Sequence, residues 1–121
     1  MHSIWKEGKY LDLWSLPHFL VGIILGHIFI YFGLDLAIAL VATLIIKIAW
    51  EIYEHKYVTI EAVPNKILDV VVGIIGLIVI YIYNDYSLIN LTSFSVILII
   101  NIIFSSWGLL SMKKMNLFIK K

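Results

Sequence analysis

Four long apolar stretches, with little chain between them, constrain this sequence more than any other feature. They cover about residues 16–33, 35–53, 66–83 and 88–110. Crossing a hydrocarbon core of about 30 Å takes roughly 20 apolar residues as a helix, so each stretch is about the length of a span. Composition agrees: 62% of the 121 residues are hydrophobic and 14% are charged, more apolar surface than a small water-soluble domain can hide. The expected fold class is an all-α membrane protein: a single domain over residues 1–121, with four transmembrane helices in an antiparallel bundle. Its expected location is the cell membrane, multi-pass, with the lipid bilayer as its first partner.

Local signals refine the spans. Ser15 is placed to cap the first helix and Pro17 falls in its first turn, where a missing N–H costs nothing. The connections around Gly33 to Asp35 and Asn84 to Ser87 are tight, so helices 1 and 2, and helices 3 and 4, are expected as antiparallel neighbours. Residues Met1 to Trp14 lack an apolar run followed by a small-residue cleavage site, so no cleavable signal peptide is expected and the first span directs insertion.

Lysine placement sets the orientation. Lys6 and Lys9 precede helix 1, Lys56 and Lys66 flank the loop between helices 2 and 3, and Lys113, Lys114, Lys120 and Lys121 follow helix 4. The short turns carry only Asp35 and Asp85, so the N and C termini and the 2–3 loop are expected in the cytoplasm. Trp5, Trp14, Tyr53, Tyr57, Tyr81, Tyr83, Tyr86 and Trp107 lie near helix ends, as interfacial aromatics do. A net charge of +1 with no arginine argues against nucleic acid as a partner and removes the usual bidentate clamp for phosphate. The lack of cysteine excludes disulfides, thiolate metal sites and a cysteine nucleophile.

The ionisable residues of the spans collect at one depth. His18 near the start of helix 1, Glu51 near the end of helix 2 and Asp69 near the start of helix 3 all fall roughly 3 to 6 Å inside the inner boundary at 1.5 Å per residue. Lys47, Glu51, Glu54 and His55 share one face of helix 2, and Asn65 and Asp69 share one face of helix 3. The His18 stripe continues through Gly22 and Gly26, and the Asp69 stripe through Gly73 and Gly76, positions that allow close helix approach. Carboxylates in a bilayer usually face the bundle interior with a partner. His18, Glu51, Glu54 and Asp69 are therefore candidate ligands for a divalent metal such as Zn, Mn or Fe. Glu51, Asp69 and His18 equally suit acid/base catalysis, and the same groups, with Asn65, suit a purely structural network of ion pairs and hydrogen bonds. His27 is expected to hydrogen-bond a neighbouring helix, and Asn101, Ser105 and Ser106 to join helices. Asp12, Glu61 and the lysine tail read as solvated or lipid-facing charges, with the tail suited to anionic headgroups.

The segments LDLWSLPHFLVGIILG, AWEIYEH and PNKILDVVVGIIG, over about residues 11–77, resemble the VanZ-like superfamily of small membrane proteins and its YjdF-like relatives. The resemblance picks out Asp12, His18, Glu51, Glu54, Asn65, Asp69, Gly73 and Gly76, and it implies a fold more than a reaction. VanZ-like proteins tend to carry an arginine before helix 3, which this chain lacks. Two functions of different class follow. One is a site for a metal or a polar envelope or lipid-linked substrate, with or without catalysis. The other is a non-catalytic accessory subunit that assembles with other membrane subunits or with itself.

Overall fold

The computed structural model describes residues 12–58, 62–83 and 90–114. These form four helices: α1 (Ser15–Tyr31), α2 (Leu36–Tyr57), α3 (Val63–Ile82) and α4 (Leu91–Lys114). Helices α2, α3 and α4 are long and apolar enough to cross a membrane, and α1 is a shorter apolar helix of 17 residues. Trp5, Lys6, Lys9, Glu61, Asp85, Tyr86, Lys120, Lys121 and the turn at 84–87 lie outside the described residues.

Helix ends depart from the sequence expectation for identifiable reasons. Ser15 does not cap α1. It lies inside the helix, and its Oγ accepts from the Asp12 N–H at 3.3 Å. After Tyr31 the chain turns through Gly33, whose φ of 76° suits a residue without a Cβ. Asp35 then caps α2, its Oδ1 accepting from Ile38 N–H at 2.9 Å. Helix α2 continues past Tyr53 to Tyr57, with His55 and Lys56 in its last turn, where cations favour the helix dipole. Helix α3 begins at Val63 rather than Lys66 because Pro64 fits the first turn. Asn90 opens α4: its Oδ1 accepts from Ser93 N–H at 2.8 Å, and Ser93 Oγ accepts from Asn90 N–H at 3.2 Å.

The central pair is α1 and α3, which pack most extensively and run parallel, Gly22 lying against Gly73 and Gly26 against Leu77 and Ile80. Small residues make this approach possible. A Cβ at Gly22 would stand 1.9 Å from the Gly73 carbonyl oxygen, and one at Gly76 would stand 2.3 Å from that of Phe19. Helix α2 packs on α3 and α4 packs on α1, and the Tyr81 hydroxyl donates to the Leu34 carbonyl at 2.8 Å, tying the end of α3 to the α1–α2 turn. Among the described residues α4 comes close to α1 alone. The expected side-by-side pairing of helices 3 and 4 is therefore not found there, and α1 and α2 meet only slightly. Glycine stripes, rather than short connections, decide which helices pack.

Burial is arranged as a lipid-facing protein requires. The buried positions of α2 are Ala39, Thr43, Lys47, Glu51 and Glu54, while Ile38, Val41, Leu44, Ile45, Ile48 and Ile52 are exposed. Polar side chains seek partners inside and aliphatic ones face outward, the reverse of a helix built for water.

Candidate functional site

The polar layer expected from sequence assembles where α1, α2 and α3 meet. His18, Glu51, Glu54, Asn65 and Asp69 are all buried, and so is Lys47, at 2% exposure. The i, i+4 steps from His18 to Gly22 and from Asp69 to Gly73, set in parallel, bring His18 Nε2 to 3.3 Å from Asp69 Oδ2. Lys47 Nζ reaches His18 Nδ1 from the other side. An ammonium has protons and no lone pair, so Nδ1 accepts from lysine and Nε2 carries the imidazole proton toward Asp69. The order Lys47, His18, Asp69 therefore joins three helices in one chain of polar contacts.

Glu51 and Glu54 complete the cluster. His18, Glu51 and Glu54 each present one ligand atom within 4.8 Å of the others, so three of the four expected metal ligands converge. Asp69, the fourth, stands behind His18, where a carboxylate commonly supports a metal-binding imidazole. Asn65 is drawn outward instead: its Nδ2 donates to Asp12 Oδ2 at 2.9 Å. Asp12 is thus half-buried and engaged rather than a solvated charge. His55, expected on the same face as Glu51, is exposed and pairs with Lys66 at 2.6 Å.

A cleft of about 620 Å³ borders the cluster. Trp14, Pro17, His18 and Val21 of the α1 segment line it, with Ile46, Lys47, Trp50, Tyr53 and Glu54 of α2, and Ser105, Leu109 and Met112 of α4. Because α2 and α4 do not approach one another among the described residues, the cleft lies between them over the surface of α1. Its wall is mainly apolar, and His18, Lys47 and Glu54 supply its ionisable groups.

No family model, curated protein or solved structure matches this chain.

His27 behaves as the sequence suggested. Its Nδ1 hydrogen-bonds the Ile23 carbonyl at 2.9 Å and its Nε2 meets Ser93 Oγ at 3.1 Å, joining α1 to α4. Of the polar residues expected to join α4 to its neighbours, Ser105 lines the cleft and Ser106 is exposed. The sequence places Lys47 on the Glu51 face of helix 2 but leaves its depth open, and the structure buries it. The extension of α2 to Tyr57 puts Lys47 ten residues from that end, about 15 Å along the axis, too far for its stem to reach the interface. Glu54 and His55, which continue the Lys47–Glu51 face beyond Tyr53, were the available signal.

Proposed function

We propose that this is a four-span membrane protein with both termini in the cytoplasm, and that its polar cluster receives the head of a lipid-linked or similar amphipathic envelope substrate. The cleft carries this reading: a mainly apolar cleft between α2 and α4 whose lining includes His18, Lys47 and Glu54. An amphiphile would lay its chain against Val21, Ile46 and Leu109 and bring its head to those ionisable groups. Helix α1 adds a fourth span of roughly 26 Å at 1.5 Å per residue, near the hydrocarbon thickness, and the lysine distribution supports the orientation. The VanZ-like resemblance rests on the residues of this same cluster and on Gly73 and Gly76, and membership of that group is part of the proposal. In a catalytic version, His18 is the base once Lys47 leaves its Nδ1, Asp69 holds its ring and Glu51 stands beside it.

Filling the cleft tests this. Leu109→Trp adds bulk to its wall at a half-exposed position. Mass spectrometry of gently extracted protein should find an amphiphile bound to the parent chain and absent from the folded variant. An identical lipid complement on both would overturn the reading.

The accessory-subunit reading has separate support. Helix α4 buries only Gly108 and Met112 and leaves Leu91, Ile99, Ile102, Ile103 and Leu110 exposed, a surface that a second membrane chain can cover. Cross-linking from Ile103 in native membranes tests it. Capture of a defined protein would support assembly, and capture of lipid alone would count against it.

A further inference from the structure

We propose that Lys47 is a tethered cation seated in a divalent-metal site formed by His18 Nδ1, Glu51 and Glu54, and that metal and lysine ammonium compete for that place. The metal site stands independently of what the cleft holds.

Three observations carry the proposal. The first is the donor set: one imidazole and two carboxylates, all buried, with ligand atoms within 4.8 Å of one another. Metal bonds of about 2.0–2.2 Å for Zn with nitrogen and oxygen in tetrahedral geometry put ligand atoms roughly 3.4 Å apart, so metal entry would draw the triangle inward. The second is the division of labour at His18. Asp69 lies 3.3 Å from Nε2, which leaves Nδ1 as the ring nitrogen open to a cation, as a supporting carboxylate does for a metal-bound histidine. The third is that a cation already stands at that lone pair: the Lys47 ammonium meets Nδ1.

The lysine also has a way in and a way out. Its stem runs over Gly73, where a Cβ would meet Lys47 Cε at 2.9 Å and Cδ at 3.2 Å, so the missing side chain makes the notch that lets the ammonium reach His18. Lys47 also lines the cleft beside Trp50 and Tyr53, whose ring faces can receive a displaced ammonium. Metal entry would then move a positive charge from the cluster to the cleft.

Competition makes a quantitative prediction. If the ammonium holds the site about nine-tenths of the time, removing it tightens apparent metal affinity by about tenfold. The experiment is Zn²⁺ titration of detergent-purified parent protein, Lys47→Met and Lys47→Met/Glu51→Gln, with elemental analysis after desalting. The expected result is one more tightly held Zn²⁺ per chain in Lys47→Met than in the parent, lost again in the double variant. Gly73→Ala provides a second route, because its Cβ pushes the flexible end of Lys47 aside without removing a charge, and it too should bind Zn²⁺ more tightly. This variant decides alone if Lys47→Met does not fold. Zn²⁺ binding unchanged from the parent in the folded variants, or binding that survives Glu51→Gln, would overturn the proposal.

Discussion

Asp69 Oδ2 stands 3.3 Å from His18 Nε2, and this contact closes the same interface that Gly22, Gly73 and Gly76 open by letting α1 and α3 approach. Close backbones bring the two side chains together, and the two side chains hold the backbones in register. Removing the acceptor leaves a buried N–H donor unsatisfied, typically at about 1–3 kcal/mol. Asp69→Ala should therefore destabilise the protein by about that amount in an unfolding assay in detergent or bicelles. Asp69→Asn, which keeps an acceptor oxygen for Nε2–H, should destabilise it less. Equal effects would show that the carboxylate is not holding the imidazole.

The glycines should differ in a definite order. At Gly22 and Gly76 an added Cβ meets backbone carbonyls at 1.9 and 2.3 Å, whereas at Gly26 it meets the Ile80 Cγ2 methyl at 2.0 Å, a side-chain atom that yields only against the stiff χ1 of a β-branched residue in a helix. Gly22→Ala and Gly76→Ala should each cost about 1–3 kcal/mol or more through overpacking. Gly26→Ala should cost less than either, because a side chain rather than a backbone carbonyl has to shift. Unfolding measurements on the three variants check the order.

How much of this was legible in the residues depends on whether a stripe had a direction. His18, Glu51 and Asp69 could be assigned to one layer because depth and i, i+4 spacing both pointed there, and the structure places them together. Helix α4 offered no such stripe: isoleucine and leucine run all round it, so its sequence does not say which face meets α1. The depth of Lys47 was not legible because it depends on where α2 ends, and polar residues 54–57 resemble a loop until the helix is seen to continue through them. Asp12 was misjudged because its partner, Asn65, lies 53 positions away and no local pattern links them.

The seam between α1 and α4 rests on a polar contact that can be isolated. His27 Nε2 meets Ser93 Oγ at 3.1 Å, and such contacts between membrane helices are worth about 0.6 kcal/mol on average and about 1.7 at most. A double-mutant cycle of His27→Ala and Ser93→Ala should return a coupling energy in that range. No coupling would remove the hydrogen bond from the account of how α4 is held.

Topology can be read with little engineering, because the chain has no cysteine. A cysteine at Leu34, in the α1–α2 turn, should react with a membrane-impermeant maleimide added to intact cells. One at Lys114, at the end of α4, should react only after lysis. The opposite pattern would invert the orientation, and equal labelling of both from outside would contradict the four-span arrangement.

The central claim is that the polar cluster serves a ligand rather than only tying three helices together. Glu54 tests it most directly, being buried and yet part of the cleft lining. The measurement is bound amphiphile and melting temperature of Glu54→Gln beside the parent protein. The account predicts that the amphiphile is lost while Tm stays within about 4 °C, the shift of a change near 1 kcal/mol in a chain of this size. An amphiphile retained by the variant, or lost only together with the fold, would contradict it.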